Sequence, residues 1–290
     1  MREILIVITK VIATLIFAPV LGGLLSGIDR KITARMQGRN GPPVLQPFYD
    51  VMKLIQKEAT TVNRTTRFYT AFLLVFTAFA VVLFFVGQDL LLCIFSFTLA
   101  CIFFVIAGYS SHSPFSSVGT ERELLLIMCY EPMILIVAFG IYKVTGSFNI
   151  SDVVSLEQPA VVRLPLIFAG LLYVLTIKLR KSPFDLSMSH HGHQELVKGI
   201  TTELTGICLA IVEITHWFET VFALSIVYIF FVYSWPGSYI TAAIICLIIY
   251  FAEIIIDNTF ARIKWRLALT TSWTVIVALS FANFVILGLI

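Results

Sequence analysis

The sequence predicts an all-α, polytopic membrane protein of about eight transmembrane helices in a tilted bundle. Three observations predict it. Hydrophobic residues make up 59% of the 290 positions and charged ones 13%, too little polar surface for a soluble chain of this size. Apolar runs close to the ~20 helical residues that a roughly 30 Å hydrocarbon layer requires recur along the whole length. None of them alternates apolar and polar residues over about ten positions, which excludes a β-barrel.

The first run, 4–26, is long, and Gly22, Gly23 and Gly27 lead straight into a basic loop. It is therefore expected to be a spanning helix and not a cleaved leader. Residues 27–67 form a loop of mixed charge that carries Arg35, Arg39, Asp50, Lys53, Lys57 and Glu58. Its NGPP stretch should break any helix. The following QPFYDVMKLIQKE spaces Phe48, Met52 and Ile55 as an amphipathic helix does, either lying in the membrane interface or forming a docking surface.

Runs 68–87 and 90–108 come next, and a second loop, 109–123, ends in Glu121, Arg122 and Glu123 at the mouth of run four, 124–144. Inside run four Glu131 precedes Pro132, which removes a backbone donor and predicts a local kink. Run five, 161–179, opens into a third long loop, 180–203, with the stretch KSPFDLSMSHHGHQEL. Run six, 204–233, exceeds what the bilayer needs and so predicts tilt or protrusion. Glu203 stands at its entrance, and Glu213, His216 and Glu219 follow one another at i,i+3, roughly on one side. Run seven, 239–258, ends with Glu253 and Asp257 at i,i+4, and run eight is 270–289.

The 20 Lys and Arg residues check this count independently. With eight spans, sixteen of them fall in the odd-numbered loops, and only Arg2, Lys10, Lys143 and Arg163 fall on the other side. That asymmetry places the odd loops in the cytoplasm and both termini outside, in the cell membrane, with the whole of 1–290 as one membrane domain. With a formal charge of only +3, the basic residues read as topology signals and no nucleic-acid partner is expected.

Metal chemistry is not expected of this chain. Its five cysteines all lie inside apolar runs with no CxxC pair, as small buried hydrophobes do. His190, His191 and His193 are one and two positions apart, do not share a helical face, and find no second ligand cluster. They read as hydrogen-bonding groups at a protein interface. The carboxylates in and beside the spans are more informative. An ionised one facing acyl chains costs several kcal/mol, so each should face a bundle interior or a wet cavity. Taken singly, each can tie two helices together by hydrogen bonds. Taken together, Glu131, Glu203, Glu213, Glu219, Glu253 and Asp257, with His216, read as a proton path or an electrostatic coupling element.

Several of these stretches resemble one family when taken in order: ARMQGRNGPPVLQPFYDVMKLIQKE (34–58), GTERELLLIMCYEP (119–132), SPFDL (182–186), QELVKGITTELTG (194–206) and AIVEI (210–214). It is the membrane subunit shared by respiratory NADH dehydrogenase (the subunit 1, or H, type) and the energy-converting NiFe hydrogenases. The resemblance implies a slanted eight-helix bundle that joins a hydrophilic electron-transfer arm to antiporter-like membrane subunits. Its first, third and fifth loops, here 27–67, 109–123 and 180–203, would grip that arm. It implies that Glu131 matches the glutamate of a Tyr-Glu motif, that Asp185, Glu195 and Glu203 match an acidic fifth loop, and that Glu213 matches the glutamate of the sixth helix. Where the quinone-reducing branch has acidic residues after PFDL, this chain reads SMSHHGHQE. That departure resembles the ferredoxin-linked, Ech-type hydrogenase branch.

The expectation is thus a non-catalytic membrane anchor and coupling subunit that links redox chemistry in the arm to proton or sodium translocation. No cofactor is expected in this chain. Iron–sulfur clusters and a NiFe centre are implied in its partners: hydrogenase large and small subunits, an iron–sulfur subunit and an antiporter-like membrane subunit, with ferredoxin acting through the complex and lipid around it. Two alternatives are a quinone-site membrane subunit of an NADH dehydrogenase-like or formate-linked complex, and a secondary ion transporter.

Overall fold

The computed structural model of the chain describes residues 2–58, 64–187 and 198–289. Helices follow one another as α1 (Arg2–Met36), α2 (Gln46–Gln56), α3 (Arg64–Val86), α4 (Leu90–Tyr109), α5 (Pro114–Thr145), α6 (Ile150–Val154), α7 (Ala160–Arg163), α8 (Pro165–Lys178), α9 (Gly206–Ile229), α10 (Ser238–Thr259) and α11 (Trp265–Leu289), with a 3₁₀ turn at Gly199–Thr201. Among the described residues no strand is present, and a single isolated bridge joins Asp89 to Asn149. Seven helices, α1, α3, α4, α5, α9, α10 and α11, are long and apolar enough to cross a membrane, and α8 is apolar but shorter. The protein is a polytopic, all-α, multi-pass membrane protein.

Each of the eight apolar runs meets a helix, but four differ from expectation. Run six, expected over 204–233, is helical only over Gly206–Ile229. The first helix continues ten residues beyond the apolar run, to Met36, because a basic sequence is still a good helix former outside the lipid. The segment 109–123 is mostly helical: α5 starts at Pro114, where proline suits a first helical turn, and its helical assignment runs unbroken across Pro132. Run five is broken. Leu164 takes φ −122° and ψ 45° between α7 and α8, as the residue before Pro165 is pushed out of helical geometry. That leaves α8 with 14 residues, about 21 Å.

A broken helix in hydrocarbon must satisfy the backbone groups it frees. Asn283, buried on α11, does so. Its Oδ1 accepts from the amides of Leu166 (3.0 Å) and Ile167 (3.4 Å), and its Nδ2 donates to the Arg163 carbonyl (3.3 Å). The amide side chain of one helix thereby caps the start of another.

Contacts divide the chain into two compact units, Met1–Val86 with Phe95–Leu124 and Asp185–Val221, and Gly87–Ile94 with Leu125–Phe184 and Phe222–Ile290. In the first unit α1 packs on α3 and α2. The inward face of α2 is Pro47, Phe48, Val51 and Leu54, and the Phe48 ring lies 5.0 Å from that of Trp217 on α9. Of the residues expected to form its apolar stripe, Phe48 turns inward, whereas Met52 and Ile55 are exposed. Glycines permit this close packing: a side chain at Gly23 would strike the Phe48 ring, and one at Gly27 the Val44 carbonyl. A second core joins α3 and α4 to the start of α9 through Leu73, Phe104, Leu204, Cys208 and Val212.

In the second unit α8 packs along α11. Gly170 lets the Met133 side chain approach, and Tyr173 Oη sits 2.8 Å from Thr271 Oγ1.

Candidate functional site

In the first unit, the loop after α4, the start of α5 and the 3₁₀ turn are sewn together. Ser116 Oγ donates to the Gly108 carbonyl (2.9 Å), and Gly119 is close enough to the backbone of Gly199 and Ile200 to leave no room for a side chain. Gly199 itself takes a positive φ of 38°, and a side chain there would strike the Ser187 carbonyl. Ser187 Oγ donates to Glu123 Oε2 at 2.5 Å, and both residues are buried. Glu123, expected at a docking surface, is thus turned inward, while Glu121 is exposed and Arg122 half-buried.

Of the three α9 residues that the i,i+3 spacing sets on one side, His216 and Glu219 meet as an acid–base pair. His216 Nδ1 lies 3.0 Å from Glu219 Oε2, with Glu219 buried, and the imidazole meets the Phe104 ring edge-on at 5.9 Å. Such a pair holds a proton between nitrogen and carboxylate oxygen and can pass it on by a small shift of one hydrogen. Glu213 is half-buried on the same helix, and Glu203 is exposed just before it.

The first long segment is organised by charge as well. Arg30 Nη1 reaches Asp50 Oδ2 at 2.6 Å, and Gln46 Nε2 donates to Asp50 Oδ1 at 3.0 Å. Asp50 is therefore engaged between α1 and α2, in a partly exposed pair that contributes at most about 1 kcal/mol. Arg35, Arg39, Lys53, Lys57 and Glu58 are exposed. His193 and Glu195, with the neighbouring His190 and His191, lie outside the described residues.

The second unit holds its own charged cluster where the segment after α8 meets the end of α10. Lys181 Nζ is 3.4 Å from Asp257 Oδ2, and the Ser182 amide donates to Asp257 Oδ1 at 2.8 Å. One turn earlier on α10, Glu253 is buried, and its Oε2 has no hydrogen-bond partner. The Ile263 amide, just beyond α10, donates to the Pro183 carbonyl (3.2 Å) and ties the two segments together. Half-buried Glu131 sits on α5 next to Tyr130, whose hydroxyl is 3.4 Å from Lys178 Nζ, and that ammonium lies 4.6 Å from the centre of the Tyr130 ring.

Lys178 and Lys181, two of the sixteen basic residues whose distribution marks topology in the sequence, are both buried. Their position at the very end of an apolar run, with carboxylates and a tyrosine elsewhere in the spans, is the signal that marks them. Asp185 is half-buried. Among the described residues no three His, Cys, Asp or Glu side chains come together as a metal site.

A family model described as NADH dehydrogenase matches residues 8–288. The chain belongs to the NADH dehydrogenase subunit 1 family. It is 33% identical over 199 aligned positions to Formate hydrogenlyase subunit 4 of Escherichia coli, covering 63% of this chain and 64% of that protein. It is 29% identical over 207 positions to Hydrogenase-4 component C of the same organism, covering 66% and 64%. With the H-type subunit of NADH-quinone oxidoreductase from Geobacillus kaustophilus it shares 27% identity over 312 positions, covering 96% and 92%. The chain thus spans 64% of the length of the two Escherichia coli relatives. Its fold is that of a chain of the membrane-bound sulfane sulfur reductase, an archaeal respiratory membrane complex, with a TM-score of 0.86 over 97% of this chain and 99% of that one, at 21% identity. By their names these relatives are subunits or components of larger assemblies.

Proposed function

We propose that this chain is the non-catalytic membrane anchor and coupling subunit of an energy-converting, ferredoxin-linked NiFe hydrogenase, and that it links redox chemistry in a hydrophilic arm to proton or sodium translocation. The observation that carries this reading is the acid–base pair inside an apolar helix: His216 and Glu219, 3.0 Å apart on α9. The charged cluster of Lys181, Asp257 and Glu253 at the end of α10 supports it. Ionisable groups at such depth are expensive and belong to ion pathways far more often than to packing. The similarity to Formate hydrogenlyase subunit 4 and Hydrogenase-4 component C favours the hydrogenase branch.

In this reading the arm's large and small hydrogenase subunits and an iron–sulfur subunit carry the NiFe centre and the clusters, and an antiporter-like subunit lies beside this one. The exposed basic residues Arg35, Arg39, Lys53 and Lys57 and the exposed Glu121 face the arm on the cytoplasmic side, with both termini outside. Events at the arm change proton affinity at Glu131, Glu213 and the His216–Glu219 pair. The test is hydrogen-linked ion uptake by closed membrane vesicles carrying Glu219→Gln or Glu213→Gln. Uptake is expected to fall at least tenfold while hydrogen turnover continues. Unchanged uptake in both variants overturns the coupling role.

A second reading, a quinone-site subunit, is favoured by the alignment with the NADH-quinone oxidoreductase relative over 96% of the chain. Purification of the complex with its metal content measured separates the two. Nickel together with a hydrogenase large subunit supports the first. Quinone reduction without nickel supports the second.

A further inference from the structure

Between α8, α10 and the residues Pro183 and Phe184 lies an apolar slot of about 380 Å³. Leu172, Tyr173, Phe184 and Ile256 form much of its wall, and Glu253 is the one carboxylate among its lining residues. Glu253 is 3% exposed, and its Oε2 is buried without a hydrogen-bond partner. Its neighbouring cation, Lys181, is shared with a second carboxylate. Lys181 pairs with Asp257 Oδ2 (3.4 Å), and the other oxygen of Asp257 accepts from the Ser182 amide (2.8 Å). Lys181 also acts on Glu253, so one ammonium faces two carboxylates and one negative charge is left without a cation of its own. A carboxylate at membrane depth is stable when paired with a cation and costly when not.

We propose that this slot receives a lysine or arginine side chain from a transmembrane helix of a neighbouring membrane subunit, with the cationic head paired to Glu253. Apolar walls ending in a carboxylate match the make-up of those side chains, a methylene stem carrying a charged tip. Beside the slot α10 carries exposed apolar residues, Ile248 at 61% and Phe251 at 48%, with Phe260 at 62% just beyond the helix, a surface suited to another membrane helix and not to a soluble segment. Ala252, small and exposed at the slot's edge, lets such a helix come close. A lipid amine is the weaker fit, because it brings its phosphate with it. The hydroxyls in the wall are already engaged, Thr176 with the Tyr173 carbonyl (2.5 Å) and Tyr173 with Thr271 (2.8 Å). The proposal rests on the reading that the chain works inside a multi-subunit membrane complex, but on neither branch of the family.

The experiment uses the complex purified from its own membranes, with the photo-crosslinking residue p-benzoylphenylalanine placed at Ala252. Irradiation is expected to join α10 to a transmembrane peptide of another subunit within a turn of a Lys or Arg. Crosslinks to lipid alone, to a peptide without a basic residue, or none in an intact complex overturn the proposal. In a second arm, Glu253→Gln, close in shape, should speed detergent-induced loss of that subunit roughly thirtyfold or more. Reversing both charges, with Glu253→Lys here and an acidic residue in the partner, should restore retention. Dissociation unchanged by Glu253→Gln overturns the pairing. If the recovered complex holds no hydrogenase subunits, the proposed function fails, and the crosslink still reads in the complex obtained.

Discussion

Asn283 of α11 accepts the backbone amide of Leu166, the second residue of α8, at 3.0 Å. In a soluble protein water would do this work, but at membrane depth a protein group must. Replacing Asn283 with Leu keeps the volume and removes three hydrogen bonds. The loss is expected to be about 1–3 kcal/mol, seen as a lower melting temperature in detergent. Ser280→Ala on the same helix, which gives up only a 3.9 Å contact to the Met133 sulfur, should shift it far less.

Asp257 performs two tasks with two oxygens, and they can be separated. Asp257→Asn keeps an oxygen for the Ser182 amide but loses the charge that answers Lys181. Asp257→Ala loses both. Alanine is expected to destabilise by about 1–3 kcal/mol more than asparagine, measured by thermal unfolding of the purified protein.

The bond from Ser187 to Glu123 closes the joint between α5 and the stretch before the 3₁₀ turn. Ser187→Ala removes the donor and leaves a buried carboxylate oxygen short of one partner. It should cost about 1–3 kcal/mol in thermal stability. Glu123→Gln, which keeps an acceptor, should cost less.

Gly27 faces the Val44 carbonyl, and any side chain there forces the segment before α2 away from α1. Gly27→Leu should therefore destabilise by about 1–3 kcal/mol and speed protease cleavage between Met36 and Gln46. Gly38, with open space around its α-carbon and a φ of 70°, tests the opposite case. Gly38→Asn should be tolerated there, since asparagine accepts that backbone.

The membrane class and the order of spans were legible because hydropathy over ~20 residues reports lipid depth directly. The His216–Glu219 pair was legible too, since i,i+3 residues meet on any helix. Other features depend on relationships that a linear pattern does not contain. Asn283 caps Leu166 from 117 residues away, so the break at Leu164 looks in sequence like a continuous apolar run. Lys181 lies 76 residues before Asp257, and only the fold turns a loop cation into a buried partner. Hydropathy is also silent about polar helix: α1 and α5 extend well past their apolar cores, because what leaves the lipid need not stop being helical.

The length of α5 has a mechanical consequence. Its 32 residues measure about 48 Å, and even at a tilt of about 40° the helix rises about 37 Å against a layer of roughly 30 Å. At least one end stands clear of the hydrocarbon as a rigid stalk. The exposed Glu121 sits seven residues, about 10 Å, into that helix, so whatever meets its carboxylate meets helical backbone and not a loop.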